Sequence, residues 1–352
     1  MNPVRFLSVT LGLCATLLAA VAAFNAWVDP FQQYRAATPG TASYPRALQR
    51  YINPGLAKNA DYNFVITGSS LMENFSLNEV NQRCGMKSIN LATSAISAFE
   101  QRKILETALT HRNVKRVLMT LDYNSFAVAP DKSLPEITDA LPLYLYDRNP
   151  FNDVRYVLSR DVMHRSFAKL RGAHAGDGDQ AWRWDHETTF GRKKALTGID
   201  AANINKNFKQ GQRNLTSMLA SFDENMIGLI AANPNTEFNV VFPPYSILVW
   251  ADFEQRDQVN VSLEFKREVF QRLAHFPNAR VFDMQWDARI THNIDLYTDI
   301  YHFHPSVNLQ MLSLLCANES QFQMTEVSTP AFIARLREQV RALRLEEFFS
   351  EK

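Results

Sequence analysis

VITGSSLMENF, Val65 to Phe75, is the stretch on which the fold turns. A short apolar, β-branched run enters Gly68-Ser69-Ser70 and leaves as a sequence that can form a helix. In open α/β sheets the ligand crevice lies beyond the carboxyl ends of the strands, where free N–H groups at a helix N-terminus can hold an anion. A serine in that place either caps the helix or presents a hydroxyl beside a ready-made oxyanion donor. The stretch alone leaves both roles open.

Outward from this point the pattern alternates. Strands are predicted at Asn63 to Thr67, Ser88 to Ala92, Val114 to Leu121, Phe238 to Phe242 and Arg280 to Met284. Helices are predicted at Leu77 to Gln82, Ala98 to Leu109, about Asn205 to Asn233, and Val259 to His275. Short apolar strands separated by helices imply an α/β fold, a parallel sheet with helices on both faces. The alternation breaks between about Pro130 and Ile204, a stretch holding Trp182, Trp184 and His186 that is too long and aromatic for an idle connector. It is expected to be an inserted lid-like, substrate-facing segment, or else a surface elaboration. Pro330 to Phe349 is expected to close the chain as an outer helix, with Arg335, Arg337, Arg341 and Arg344 on a solvated face.

The chain begins with one arginine, Arg5, followed by an uncharged apolar run from Phe6 to about Trp27. About twenty such residues suffice to span a bilayer as a helix. Residues 1–28 are read as a signal peptide or, since the run exceeds the usual cleaved length, a retained single-pass anchor in the inner membrane. The positive flank places the short N-terminus in the cytoplasm and the rest on the periplasmic side. Residues 29–61 are rich in turn formers and are expected to wrap the main domain, residues 62–325, as a membrane-proximal segment; 326–352 follow as the C-terminal helix.

The 352 residues carry 37 Lys and Arg against 36 Asp and Glu, a net charge of +1, with no basic run interleaved with aromatics. A nucleic-acid partner is therefore not expected. Of the three cysteines, Cys14 falls in the apolar run, leaving Cys84 and Cys316 as one candidate disulfide or as two separate thiols.

A serine nucleophile needs a base, and the base a carboxylate to hold its tautomer. In YTDIYHFHPS, Asp299 and His302 stand three apart before a predicted helix, and the last loop of a doubly wound sheet returns to the rim of the first. His304 is a rival base; the spacing selects His302. The two histidines supply too few ligands for a catalytic zinc, so no metal site is expected. Asp122 receives no catalytic role, and Pro243-Pro244-Tyr245 lies on the same rim, either lining the pocket or merely ending its strand.

Gly68-Ser69-Ser70-Leu71 and Asp299-Ile300-Tyr301-His302 resemble the first and last blocks of the SGNH (GDSL-like) hydrolase superfamily, over roughly Tyr62 to Gln321. The closest likeness is to its membrane-anchored envelope branch, which includes O-acetyltransferases of alginate and related exopolysaccharides. The resemblance implies a flavodoxin-like sheet, Ser70 as nucleophile, His302 as base and Asp299 as its orienter. It implies an oxyanion hole from the N–H groups of Ser70 and Ala95 and the Asn124 amide. Three positions depart from the pattern: Ser69 replaces the usual aspartate, Ala95 the usual glycine, and the third block lacks its glycine before Asn124. A flavodoxin-like order also sets the helices carrying Cys84 and Cys316 side by side, which favours the disulfide. The implied function is acyl transfer without a cofactor, with a polysaccharide or other glycan as acceptor and a membrane-bound protein as acyl donor. An esterase and a non-catalytic glycan-binding scaffold are the alternatives.

Overall fold

The computed structural model describes residues 2–37, 44–137, 141–172, 182–204, 212–317 and 320–350. Its centre is a five-stranded sheet: β1 (Phe64–Thr67), β2 (Ser88–Asn90), β3 (Arg116–Thr120), β4 (Glu237–Phe242) and β5 (Ala279–Asp283). All neighbours pair in parallel, in the order β2-β1-β3-β4-β5. This is the flavodoxin-like order, whose switch point falls where the chain leaves β1 with β2 on one side and β3 on the other. The strands are nearly continuous apolar runs because both faces are covered; Phe64, Val65 and Ile66 are fully buried. Ile66 pairs with both Asn90 and Leu118, so β1, β2 and β3 end level and their following loops share one rim.

The helices are α1 (Pro3–Val28), α2 (Gln49–Asn59), α3 (Leu77–Cys84), α4 (Ala98–His111), α5 (Val154–Val157), α6 (Arg160–Leu170) and α7 (Arg192–Ala195). After these come α8 (Leu215–Phe222), α9 (Gly228–Ala232), α10 (Ile247–Gln255), α11 (Val259–Leu273), α12 (Ala288–Thr291), α13 (Pro305–Cys316), α14 (Ser328–Ala342) and α15 (Leu345–Phe349). Right-handed crossovers put α3 on one face and α4, α8–α9 and α11 on the other. In agreement, α3 packs on α13, while α8 packs on α4 and α11. Start signals are local: Ser97 and Glu100 form a reciprocal capping box on α4, and Ser76 caps α3. Cys84 and Cys316, at the ends of α3 and α13, are joined in a disulfide with their Cα atoms 5.0 Å apart.

Four elements differ from expectation. Residues 49–59 form a helix within the membrane-proximal segment despite Pro54 and Gly55. A Cβ on Gly55 would lie 2.3 Å from the Phe31 carbonyl oxygen, so the glycine is what lets the chain leaving α1 lie directly against α2. The helix expected from Asn205 starts only at Leu215, capped by the Asn214 side chain, and widens into a π turn at Asp223–Ile227; residues 205–211 lie outside the described set. Ile247–Gln255 is an unanticipated helix, and residues 247–253 are buried throughout. The C-terminal helix is broken at Leu343–Arg344; Arg335, Arg341 and Arg344 are exposed as expected, Arg337 is half-buried, and Arg335 also lies over the Trp286 ring at 4.7 Å.

The inserted segment has two parts with separate surroundings. Residues 182–204 cover the rim of the sheet, whereas α5 and α6 pack against α1. Residues 173–181, which join the two parts, lie outside the described residues.

Candidate active site

Strand β1 ends in Gly68, which has φ +139° and is closed in on both sides: an added Cβ would meet Thr120 Oγ1 at 2.2 Å and Met72 Cγ at 2.8 Å. That backbone turn throws the next residues onto a single turn of 3₁₀ helix, Ser70–Met72. The two serines divide the roles left open by the sequence. Ser69 caps the turn, its Oγ accepting from the Leu71 N–H. Ser70 turns its hydroxyl outward, 2.7 Å from His302 Nε2.

The base arrives from the other end of the chain. His302 Nδ1 lies 2.7 Å from Asp299 Oδ2, and Asp299 Oδ1 accepts from the backbone N–H groups of Tyr301 and His302 at 2.8 and 2.9 Å. The loop is held down from β4: Ser246 donates through its N–H and Oγ to the Ile300 carbonyl, and the Tyr297 hydroxyl donates to the Pro244 carbonyl. Serine, imidazole and carboxylate are thus in line at hydrogen-bond distance. Burial alone would push the imidazole of His302 down, but the Asp299 carboxylate outweighs it and holds the group above its ordinary range. Burial likewise works to raise Asp299, and is outweighed by the His302 charge and the donated hydrogen bonds, so that carboxylate sits low. His304 takes another role: it is exposed, caps α13 through its Nδ1, and packs its ring on Phe190.

The loops after β2 and β3 carry Ala95 and Asn124, the two residues expected to join Ser70 in receiving an oxyanion. Thr93 N–H donates to the Gly68 carbonyl, which sets the β2 loop beside Ser70. Two residues on, Ala95 has φ +49°, the left-handed conformation that glycine adopts freely. The alanine at this position therefore keeps the backbone geometry a glycine would give. Neither the Ser70 nor the Ala95 N–H donates to any described residue, so both amides are free to bind an anion. Helix α2 braces this loop: Arg50 donates to the Ser94 and Ala95 carbonyls, Gln49 accepts from the Ser94 N–H, and Asn53 donates to the Leu91 and Ala92 carbonyls.

Asn124 is the second residue of the 3₁₀ turn that follows β3, Tyr123–Phe126. Its Oδ1 accepts from Arg213 Nη2 at 3.0 Å, which leaves its NH₂ as a donor with no acceptor among the described residues. Arg213 is 6 % exposed and lies over the Phe253 ring at 4.0 Å, so a buried cation backs the amide.

Four contributors were not assigned from sequence. Trp184 donates its indole N–H to the Ser70 carbonyl at 3.2 Å and stands edge-on to the His302 ring, 5.2 Å between centroids. Its neighbour Trp182 is core, bonded to the Asn90 carbonyl, and His186 is exposed beside Glu187. Asp122, buried beneath the site, accepts from the Tyr245 hydroxyl at 2.5 Å; burial pushes its carboxyl up against the opposing pull of Tyr245, Ser69 and the His302 charge. Glu73 is fully buried, salt-bridged to Arg46 at 2.8 Å and bonded to Gln49 and Ser94. Only the Tyr245 and Trp184 positions carried a signal, as rim and lid aromatics; the others are scattered polar residues with no spacing to mark them.

A cleft of about 430 Å³ is lined by Asp299 and His302 together with Arg46 and with Trp184, Thr188 and Lys194 of the inserted segment. Among the described residues, no group of three or more His, Cys, Asp or Glu is arranged to hold a metal ion.

No family model and no curated protein matches the chain. Among solved structures, it is similar to one titled "putative platelet activating factor from Streptococcus pneumonia", at 10 % identity over 78 % of this chain and 91 % of that one, with a TM-score of 0.42.

Proposed function

We propose that the chain is a membrane-anchored enzyme of serine acyl transfer, working through an acyl-Ser70 intermediate. The observation that carries this reading is the aligned Ser70–His302–Asp299 set, two contacts of 2.7 Å opening into a cleft. His302 Nε2 takes the Ser70 proton as Oγ attacks an ester carbonyl; the oxyanion is received by the Ser70 and Ala95 N–H groups and the Asn124 amide. Collapse expels the alcohol with that proton and leaves the acyl group on Oγ. An incoming hydroxyl then gives its proton to His302 and carries the acyl group away.

With a sugar hydroxyl as acceptor the enzyme is an O-acyltransferase of an exported or envelope polysaccharide. This acceptor is favoured by the sequence resemblance and by a cleft roofed with aromatic and polar side chains. Water as acceptor gives an esterase through the same intermediate. The left-handed φ of Ala95 favours the catalytic reading over a non-catalytic scaffold, because the alanine holds the backbone conformation a glycine would give. The apolar α1 and the Cys84–Cys316 disulfide favour an inner-membrane protein with its domain on the oxidising, periplasmic side.

The test is covalent labelling of the full-length protein in detergent by a fluorophosphonate, with Ser70→Ala alongside. Labelling confined to Ser70 and abolished in the variant supports the mechanism; no labelling of the native protein removes it. Given a chromogenic acetyl ester with and without a glycan, acetylated glycan marks the transferase and free acetate alone the esterase.

A further inference from the structure

Beyond the active site, the least explained surface of the molecule is apolar. Outside α1, eight large hydrophobic side chains are exposed among the described residues, and six of them fall between positions 143 and 170: Leu143, Phe151, Val154, Leu158, Phe167 and Leu170. Phe151 is 89 % exposed. Such clustering in one stretch of chain, whose helices α5 and α6 pack on α1, points to a contact surface.

That face adjoins the end of α1. Asn25, fully buried in the last turns of α1, donates to the Val157 carbonyl at 2.8 Å and accepts from Ser166 Oγ at 3.1 Å. Lys169 caps the helix by donating to the Val28 and Asp29 carbonyls, and the Tyr156 hydroxyl donates to Asp29 Oδ1. The Phe24 and Phe167 rings lie 4.9 Å apart. So α1 is not tethered by a loose linker; α5 and α6 grip its C-terminal turns.

Helix α6 has three faces. Val162, Ser166 and Lys169 meet α1 or the core, and Arg160, His164, Arg165 and Arg171 stand in solvent. Between them Met163, Phe167 and Leu170, spaced by four and three, form an apolar stripe continuous with Phe24. The 26 residues of α1 are about 39 Å long at 1.5 Å each, whereas the hydrocarbon core is about 30 Å thick. Counted from Phe6, the first residue after Arg5, about 20 residues cross that core and end near Asn25. The turn that α6 grips therefore stands at the hydrocarbon boundary, with exposed Trp27 at headgroup level.

We propose that α5, α6 and the Phe151 loop form a monotopic shelf that lies in the interface of the same bilayer leaflet, its apolar stripe among the acyl chains and its arginines at the lipid phosphates. The occupant is the lipid surface, because the stripe continues a membrane-spanning surface and its flanks carry the charge that headgroups attract. Span and shelf together fix the tilt and rotation of the catalytic domain above the membrane. The proposal rests on the reading of α1 as a retained anchor.

The test reconstitutes the full chain in phosphatidylcholine–phosphatidylglycerol vesicles containing a lipid with a photoreactive diazirine close to its headgroup, and maps adducts by peptide mass spectrometry. Adducts are expected in α1 and in residues 151–170. A Phe167→Asp, Leu170→Asp double variant, checked by circular dichroism, should lose at least five-fold in the second region and keep those in α1. Adducts in α1 alone overturn the shelf and leave this face to a protein partner; adducts in neither region overturn the anchor itself. Should the variant fail to fold, the map of the native protein decides.

Discussion

Replacing Asp299 by Asn isolates the tautomer control of the proposed base. The oxygen of the new carboxamide can still accept from the Tyr301 and His302 N–H groups, so the loop keeps its shape. What changes is the atom 2.7 Å from His302 Nδ1, where a donor NH₂ takes the place of a carboxylate oxygen. The neutral imidazole satisfies that NH₂ by moving its proton to Nε2, which faces Ser70 Oγ and can then no longer accept. Restoring the productive tautomer forfeits a charge-assisted hydrogen bond worth about 1.5 to 3 kcal/mol and leaves a half-buried donor unpaired at about 1 to 3 kcal/mol more. Together these predict a fall in kcat of roughly 10² to 10⁴-fold, at about 1.4 kcal/mol per decade.

The pH profile supplies an independent sign. His302 must be neutral to act, and the Asp299 charge holds its proton affinity up. Native activity should therefore rise with pH through a midpoint above the ordinary histidine value of 6.5. In Asp299→Asn burial is opposed only by the weaker pull of Glu73 and Asp122, and the midpoint should fall. Initial rates on p-nitrophenyl acetate between about pH 5 and 9, with circular dichroism as a check on folding, measure both quantities. A loss under ten-fold with an unmoved midpoint would mean that Asp299 does not govern the base.

Other outcomes follow from single contacts. Ala95→Gly should relieve left-handed strain of about 1 to 2 kcal/mol and add about 0.4 to 1 kcal/mol of unfolded-state entropy, a net stabilisation of up to about 1.5 kcal/mol by urea unfolding with activity kept; destabilisation argues against a left-handed φ at this position. Arg213→Gln removes the donor that orients Asn124, and should cut kcat on the chromogenic ester about 10 to 10²-fold with KM held; a change confined to KM assigns Arg213 to substrate binding. Cys84→Ser with Cys316→Ser should lower the stability of the folded domain by about 2 to 4 kcal/mol, read as a lower Tm. An unchanged Tm contradicts the pairing.

Much of this was legible in the sequence, for definite reasons. The five strands fall within a few residues of their predicted bounds, because a parallel strand buried on both faces is written largely in apolar residues. Ser70, His302 and Asp299 meet as the spacing and the topology required. Helix α2 was illegible because Pro54 and Gly55 sit in its middle, tolerated only through its packing with Phe31 and Gln32. Helix α10 was illegible for the opposite reason: buried on all sides, it has no polar stripe to reveal its period. Arg213, Arg50 and Glu73 reach the site by long-range pairing, and nothing local in the sequence distinguishes them from surface charge. The Trp184 indole, seen in sequence only as part of a lid-like segment, touches both the Ser70 carbonyl and the His302 ring.

The disulfide and the Ser70–His302 contact span the same sequence distance, 232 residues each. Both close one loop of chain, since Cys84 lies fourteen positions after Ser70 and Cys316 fourteen after His302. The entropy of bringing such distant segments together is incurred once, and the covalent link retains it through any local opening of the rim. Nucleophile and base are thereby held at a high mutual effective concentration, so that after thermal or mechanical disturbance the pair re-forms as a local event and not as a search by the whole chain.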